Sequence, residues 1–225
     1  MSNSTELLTE IQNLIIKSKT SSMTSSSNAC DLFEVYILGL ILKAATNEGA
    51  KIDYENVNGK TPTDLIFRTS PGQIFWKNKD YCHAIINFPD KPVLEAHVGI
   101  YVSGKSKVMH ECDVAVIYRD EGLTCRRREV TPRQSKLFMA VECKFYSRSL
   151  PLAEARGFIG LSTDIGARIS FLAVNTDSPS AATLISNRDG LGTSWEDNVV
   201  PSSTREVNRL TSLFEKRFNN FKAAK

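Results

Sequence analysis

Two apolar runs with charged residues set into them constrain this chain more than any other feature. The segments ECDVAVIY (111–118) and LFMAVECKFY (137–146) are rich in residues that favour β-strands. A buried strand rarely carries charge, because an ionised group taken from water without a partner costs much free energy. Asp113, Glu142 and Lys144 therefore indicate a functional site within a predicted sheet.

Side chains alternate between the two faces of a strand, and this predicts where the three charges point. Glu142 and Lys144 share one face. The apolar residues predicted on the other face are Leu137, Met139, Val141, Cys143 and Phe145. Asp113 is predicted to lie with Ala115 and Ile117, opposite Cys112, Val114 and Val116.

A turn over 120–135 would make the two strands antiparallel neighbours, so that Asp113 approaches Glu142 and Lys144. Two carboxylates held together repel unless a cation neutralises them. Oxygen ligands of this kind suit Mg²⁺ or Mn²⁺. The sequence therefore predicts a site for a hard divalent metal, with a lysine beside it to orient water and balance phosphate charge.

The remaining patterns predict an α/β chain in the order helix, three strands, helix, strand, with additions at both ends. Asn28 caps an apolar helix that runs to about residue 46, and 47–72 is predicted as loop with at most short strands. The predicted strands are 81–88, 94–104, 111–118 and 136–146, with a further, buried strand over 168–175. Two later helices are predicted, one over 151–166 and one that begins at 204.

Composition limits the class of protein. With 225 residues, 41% of them hydrophobic and 24% charged, the chain is predicted to fold as one globular domain. Its parts are predicted as an N-terminal helix with a serine-rich connector (1–28), a core (29–175) and a C-terminal extension with a helix (176–225). The net charge of +3 is compatible with a nucleic-acid partner but does not identify one.

Neither a membrane span nor a secretory signal is predicted. The longest apolar run, 35–45, is shorter than the ~20 residues that a membrane helix needs. The N-terminal segment has no small-residue cleavage site after an apolar stretch. Five cysteines without a CxxC pair are predicted to be free thiols, and we expect a cytoplasmic protein.

Asp113, followed across a hairpin by Glu142-Cys143-Lys144, resembles the PD-(D/E)XK superfamily of metal-dependent nucleases. The predicted element order over 29–175 is similar to the α-β-β-β-α-β core of that superfamily. The resemblance implies a restriction-endonuclease-like fold, with a mixed central sheet flanked by helices and extra helices at both termini. One departure is that no proline precedes Asp113, where the sequence reads MHECDV.

The resemblance also implies a role for each residue of the motif. Asp113 and Glu142 would ligate Mg²⁺ or Mn²⁺ together with the backbone carbonyl of Cys143. Lys144 would orient the attacking water, and Glu34 on the first core helix would complete the metal site. The implied activity is endonucleolytic cleavage of DNA, in restriction or antiphage defence, by a homodimer joined through the first or the C-terminal helix.

Arginines around the motif are candidates for contacts to DNA phosphates, which hold a duplex without specifying its sequence. These residues are Arg126, Arg127, Arg128, Arg133, Arg148 and Arg156. Arg156 follows the motif strand on the next helix and is the strongest single candidate.

Several alternatives remain open at this stage. Glu142 and Lys144 fit the solvated face of an edge strand, Glu34 fits a helix face that reaches solvent, and the arginine run fits a solvated hairpin tip. The chain could also be a binding module of the same fold without cleavage, or a structure-selective repair or junction nuclease. Strand alternation argues against a zinc site of His110, Cys112 and Cys143, and His83 and His97 form no interpretable pattern.

Overall fold

The structure, a computed structural model, describes residues 4–16, 19–78, 80–188 and 194–224. Its helices are α1 (Ser4–Ile11), α2 (Ala29–Asn47), α3 (Arg119–Arg128), α4 (Leu152–Ile165), α5 (Pro179–Ser186) and α6 (Thr204–Ala223). Its strands are β1 (Thr20–Ser21), β2 (Lys51–Asn56), β3 (Asp64–Leu65), β4 (Cys82–Asn87), β5 (Leu94–Ser103), β6 (Met109–Tyr118), β7 (Leu137–Lys144), β8 (Ser170–Val174) and β9 (Trp195–Glu196).

Seven strands form one mixed sheet in the order β2-β4-β5-β6-β7-β8-β9. The strands from β2 to β7 pair antiparallel, whereas β7, β8 and β9 pair parallel. One apolar cluster joins the sheet to α1, α2 and α6, and two others join it to α3, α4 and α5. The α/β class and the mixed sheet flanked by helices are thus confirmed. None of the described helices is long and apolar enough to cross a bilayer.

The central helix α2 forms as the sequence predicts. The side chain of Asn28 accepts a hydrogen bond from the N–H of Cys30 at 2.9 Å, and Asp31 lies in the first turn. Both features favour the start of a helix. Asn28 satisfies an N–H that has no partner within the helix, and the negative charge of Asp31 lies near the positive end of the helix dipole. Apolar residues cover nearly the whole circumference of α2, which is buried between the sheet, α1 and α6.

The strands β4 to β7 form the predicted meander, and β8 is buried on both faces as expected. Phe171 and Ala173 pack in the cluster that contains α2, while Leu172 and Val174 pack against α4 and α5. A short strand with apolar residues at every position needs such two-sided cover.

The edge strand β2 lies where the sequence analysis predicted loop. It pairs with β4 over its whole length, from Lys51 opposite Asn87 to Asn56 opposite Cys82. Ile52 and Tyr54 pack against the core while the alternate side chains are more polar. The prediction allowed only short strands in this segment and did not locate β2, because a sheet edge tolerates the polar residues that also mark loops.

A helix, α3, stands where a plain turn was predicted between β6 and β7. Asp120 and Glu121 lie in its first turn and Arg126, Arg127 and Arg128 in its last, which is the charge order that the helix dipole favours. Glu129 ends the helix in the left-handed conformation, with φ 55° and ψ 47°. The arginine run is therefore a helix end, and the prediction of a hairpin tip was wrong.

Two local irregularities break the predicted alternation of side chains. Between the pairs Val98–Val114 and Ile100–Cys112, Gly99 has a φ of 60°, which suits glycine because it lacks a Cβ. Cys112 consequently packs in the cluster of Ala115 and Ile117, and its predicted place beside Val114 was wrong.

The second irregularity is a bulge in β7. Val116 pairs with Met139, but the next residue, Ile117, pairs with Leu137, so Phe138 is an extra residue. Leu137 therefore packs on the opposite side of the sheet from Met139. Beyond the bulge, Met139, Val141 and Cys143 share the apolar face that was predicted for them.

The helices that were predicted to join a dimer bury their apolar faces inside the chain. Leu7 and Ile11 of α1, and Phe214 and Phe218 of α6, are all 0% exposed. Both helices contact α2. A dimer contact through either helix would therefore use its exposed side, and the dimer itself stays a prediction.

Gly122 allows α3 to pack closely on β5. A Cβ at this position would overlap Oε2 of Glu95, a buried carboxylate that is 0% exposed. On α4, by contrast, a Cβ at Gly157 would meet nothing within 4 Å.

We predict that Gly122→Ala destabilises the protein by about 1–3 kcal/mol, because overpacking displaces a buried ion pair. Urea denaturation followed by circular dichroism measures this. Gly157→Ala is the matched control, since the same change in an open helical position stabilises by about 0.5–1 kcal/mol. Equal effects of the two changes would contradict the close contact of α3 with Glu95.

Candidate active site

The β6–β7 ladder ends where the candidate acids begin. Its last pair is Val114 with Val141, so the next residues along the two strands are Asp113 and Glu142. There the N–H of Cys143 donates to Oδ2 of Asp113 at 2.7 Å, and a side-chain carboxylate takes the place of a backbone acceptor. The structure thus brings Asp113 beside the Glu142-Cys143-Lys144 segment.

Lys144 lies between two acids. Its Nζ is 2.8 Å from Oε1 of Glu142 and 3.5 Å from Oε2 of Glu154, which is in the first turn of α4. Burial lowers the pKa of Lys144, but the carboxylates of Glu142, Asp113 and Glu154 outweigh it and raise the pKa above its ordinary value. Lys144 is therefore a protonated, oriented ammonium group.

Glu34 faces the same acids from α2. Its side chain is partly buried, and burial together with the charges of Asp113, Asp31, Glu111 and Glu142 raises its pKa to about 9. A solvated helix face would not produce this shift. The structure therefore favours the interpretation of Glu34 as a member of the site.

Two further acids were not predicted. Glu154 follows Pro151 at the start of α4, and Glu111 precedes Asp113 on β6. Partial burial and the charge of Glu142 raise the pKa of Glu111. Burial and the same neighbour raise the pKa of Asp113. Acids that resist ionisation in each other's presence are typical of a cluster in which negative charges outnumber the positive one, here Lys144.

The donors of this cluster fit a hard divalent cation. Asp113, Glu142 and Glu34 offer carboxylate oxygens, which Mg²⁺ and Mn²⁺ prefer. The carbonyl of Cys143 points toward β6 as well, because the N–H and C=O of one strand residue face the same neighbour. Asp113 on β6 and the Glu142-Cys143 segment on β7 thus face each other across the gap. The carboxylate oxygens of Asp113, Glu142 and Glu34 do not all lie within 4.8 Å of one another, so a shared ion would draw them together.

The exposed arginines lie on two different parts of the chain. Arg127 and Arg128 are in the last turn of α3. Arg148 and Arg156 are exposed near the carboxyl end of β7, where Lys144 lies. Arg156 follows Glu154 by two residues on α4.

Two arginines of the predicted set are held by acids on the protein. Arg126 forks onto the buried Glu95, with distances of 3.0 and 2.6 Å. Arg133 binds Glu121 through Nε at 2.8 Å and Nη2 at 2.6 Å. Both guanidinium groups are thus already paired with carboxylates of the protein.

His110 does not lie free at the mouth of the site. Its Nε2 is 2.6 Å from Oδ2 of Asp164, near the end of α4. The same carboxylate accepts a hydrogen bond from the N–H of Ser106 at 2.8 Å. This cluster ties the β5–β6 hairpin to α4.

The cysteines form no zinc site with His110. All five are free thiols, as predicted, and Cys112 and Cys143 are buried on different sides of the sheet. Within the described ranges, the one group of three or more His, Cys, Asp or Glu side chains close enough to share an ion is His83, Glu95 and His97. The sequence analysis did not interpret these histidines.

A cleft of about 840 Å³ opens beside the Lys144 end of β7. Its lining includes Ala29, Phe145, Tyr146 and Asn175. The amide of Asn175 exchanges two hydrogen bonds with the backbone of Tyr146, at 2.7 and 2.9 Å, and so fixes the floor of the cleft. The cleft begins one residue beyond Lys144, and neither Asp113 nor Glu142 lines it.

No family model, curated protein or solved structure matches this chain. The functional interpretation consequently depends on the geometry of the side chains around Asp113 and on their electrostatics.

The raised pKa of Glu34 predicts a pH dependence of stability. The unfolded chain releases this proton near the ordinary pKa of 4.5 and the folded protein only near about 9, so the free energy of unfolding falls as pH rises between these values. In chelator-treated protein, Glu34→Gln should reduce that fall between about pH 5 and 8 by roughly 1–3 kcal/mol.

Urea denaturation at several pH values measures the effect. The exposed Glu6→Gln on α1 is the control and should keep the slope of the unaltered protein. A slope that Glu34→Gln leaves unchanged would show that Glu34 is solvated and not part of the acid cluster.

Proposed function

We propose that the protein is a divalent-metal-dependent endonuclease that hydrolyses phosphodiester bonds of DNA, with a core of the restriction-endonuclease-like type. The observation that carries this proposal is the convergence of Asp113, Glu142 and Lys144 where β6 and β7 part. Mg²⁺ is the expected cofactor, and Mn²⁺ should substitute for it. Restriction or antiphage defence is the proposed setting, and the free thiols suit a cytoplasmic location.

Asp113, Glu142 and the Cys143 carbonyl would hold the metal, and Glu34 would complete the site. A bound Mg²⁺ supplies positive charge to the phosphate and lowers the pKa of a water molecule. The carboxylates of Asp113 and Glu142 would keep that charge next to the scissile group. Glu34 has the highest proton affinity of these acids and would release its proton as the site is loaded.

Lys144 is suited to orienting water and to stabilising negative charge. Because its pKa is raised, it carries three N–H donors at neutral pH and does not act as a free base. Glu142 and Glu154 fix the position of Nζ. An ammonium held in advance near developing phosphate charge stabilises the transition state more than a mobile one. We therefore propose that Glu154 is a positioning residue that acts through Lys144.

Arg148 and Arg156 are proposed to contact the DNA backbone. Both are exposed near the carboxyl end of β7, beside the cleft. Arg127 and Arg128, exposed in the last turn of α3, would contact the backbone only of a duplex that extends over that helix. Cleavage of both strands by a homodimer would use a contact other than the buried apolar faces of α1 and α6.

The proposal predicts that catalysis depends on the three motif residues. Asp113→Ala, Glu142→Gln and Lys144→Ala should each lower Mg²⁺-dependent nicking of supercoiled DNA by about 100-fold or more. Gel electrophoresis of timed reactions measures the rate. Lys216→Ala, an exposed lysine on α6, is the matched control and should keep full activity.

The alternatives have distinct outcomes in the same assay. Nicking that persists in Asp113→Ala and Lys144→Ala would place any activity elsewhere. If the protein binds DNA but does not nick it, and shows no Mn²⁺ binding that Glu142→Gln removes, the result would favour a binding module that has lost catalysis. Preference for branched over plasmid DNA would identify a structure-selective nuclease.

The salt dependence of DNA binding tests where the DNA lies on the protein. Arg156→Ala should weaken binding and lower the slope of log affinity against log salt by about 1, because one phosphate contact is lost. Fluorescence anisotropy in Ca²⁺ with a labelled duplex measures both quantities. Arg128→Ala, which removes an exposed arginine from α3, is the matched control. A larger effect at Arg128 than at Arg156 would place the duplex on α3.

A further inference from the structure

A buried polar cluster lies in the half of the sheet that the proposed nuclease site does not use. It contains His83 on β4 and Glu95 and His97 on β5, which are 1%, 0% and 0% exposed. One ligand atom from each lies within 4.8 Å of the others. We propose that these three residues bind a transition-metal ion of the Zn²⁺ class, separately from the Mg²⁺ site.

Strand register brings the two imidazoles together. Ala84 pairs with Ala96, and the same register places His83 opposite His97. Their rings stack with centroids 4.6 Å apart and planes inclined by 14°. Glu95 precedes His97 by two residues and therefore lies on the same face of β5.

The distances within the cluster suit one shared ion. Nε2 of His97 is 3.2 Å from Oε2 of Glu95, and Nε2 of His83 is 3.9 Å from Oε1. Ligand bonds of about 2.0–2.2 Å place the ligand atoms around a zinc ion about 3–4 Å apart. Little movement is needed to bind an ion between them.

Unpaired nitrogen atoms point independently to a ligand. Both ring nitrogens of His83 and Nδ1 of His97 are buried without a hydrogen-bonding partner in the described protein. Buried polar atoms almost always have a partner, because an unpaired one loses its hydration without replacement. A metal ion would accept a lone pair that the protein itself leaves unused.

The protonation states also suit a metal. Burial lowers the pKa of both histidines, so their lone pairs are free at neutral pH. Burial opposes ionisation of Glu95, but hydrogen bonds from His97 and Arg126 outweigh it and hold the pKa at about 2. Two neutral imidazoles and one carboxylate favour Zn²⁺ and similar ions over Mg²⁺.

Arg126 orients the carboxylate and at the same time limits affinity. The guanidinium group of Arg126 binds both oxygens of Glu95 and uses one lone pair on each. The other lone pairs of the carboxylate remain available on the side of the imidazoles. Arg119 adds positive charge at 3.4 Å from Oε1, offset by its bidentate contact to Glu55 at 2.8 and 2.9 Å. Removing the charge of Arg126 should therefore tighten metal binding.

The metal would act as a clamp between β4, β5 and the helix α3 that covers them. It would be acquired during folding, since all three ligands are closed off from solvent. Because this site differs from the Asp113 site in donor type, it can be tested without nuclease activity.

The experiment uses the full chain with Asp113→Asn and Glu142→Gln, which removes the acids of the other site. This protein is unfolded with chelator, refolded with Zn²⁺ or Co²⁺, desalted and analysed for metal. We expect about one equivalent, visible absorption bands of His-ligated Co²⁺, and a higher melting temperature than in the refolded metal-free protein. Further His83→Asn or His97→Asn should remove the metal and the bands, and Arg126→Gln should lower the dissociation constant at least several-fold.

His110→Asn is the matched control, since that ring binds Asp164 on another part of the fold, and it should retain the metal. Circular dichroism reports whether the variants fold. Refolded protein with the native circular dichroism spectrum but without metal would overturn the proposal, as would retention of metal after loss of both His83 and His97. Either result leaves the nuclease assay unaffected, so the two proposals fail separately.

Discussion

The hydrogen bond from the N–H of Cys143 to Asp113 is the interaction on which the candidate active site depends. It forms where the backbone ladder between β6 and β7 stops, so a carboxylate holds the strands together while they separate. The direction of the Cys143 N–H also fixes the direction of its carbonyl, which faces β6 as well. Glu142 and Lys144, one residue to either side, then point to the same face.

Much of the fold is local enough to be predicted from the sequence. The cap at Asn28, the helix after Pro151 and the apolar strands each carry their own signal. The misses are of another kind, because β2 and α3 are polar segments whose structure depends on neighbours. The positive φ of Gly99 and the extra residue Phe138 change the facing of side chains without changing the hydrophobic pattern.

The site was predictable to the extent that its members lie inside apolar elements. Charge within a strand or a buried helix identified Asp113, Glu142, Lys144 and Glu34, and the structure places all of them in one electrostatic cluster. The same rule, applied to YCHAIINF and LEAHVGIYV, would have identified His83, Glu95 and His97. It was not applied because imidazole is tolerated in cores. Glu154 could not be predicted in this way, since it begins an exposed helix turn and joins the site through packing alone.

The bulge at Phe138 has a consequence for how the chain can change over evolutionary time. It sets the alignment of β7 with β6, so adding or deleting one residue between Phe138 and Glu142 would turn the acid to the other side of the sheet. The loop after α3, from Val130 to Arg133, has no such restriction. Length differences among descendants of this sequence should therefore accumulate in that loop, while the stretch from the bulge to Lys144 keeps a constant length.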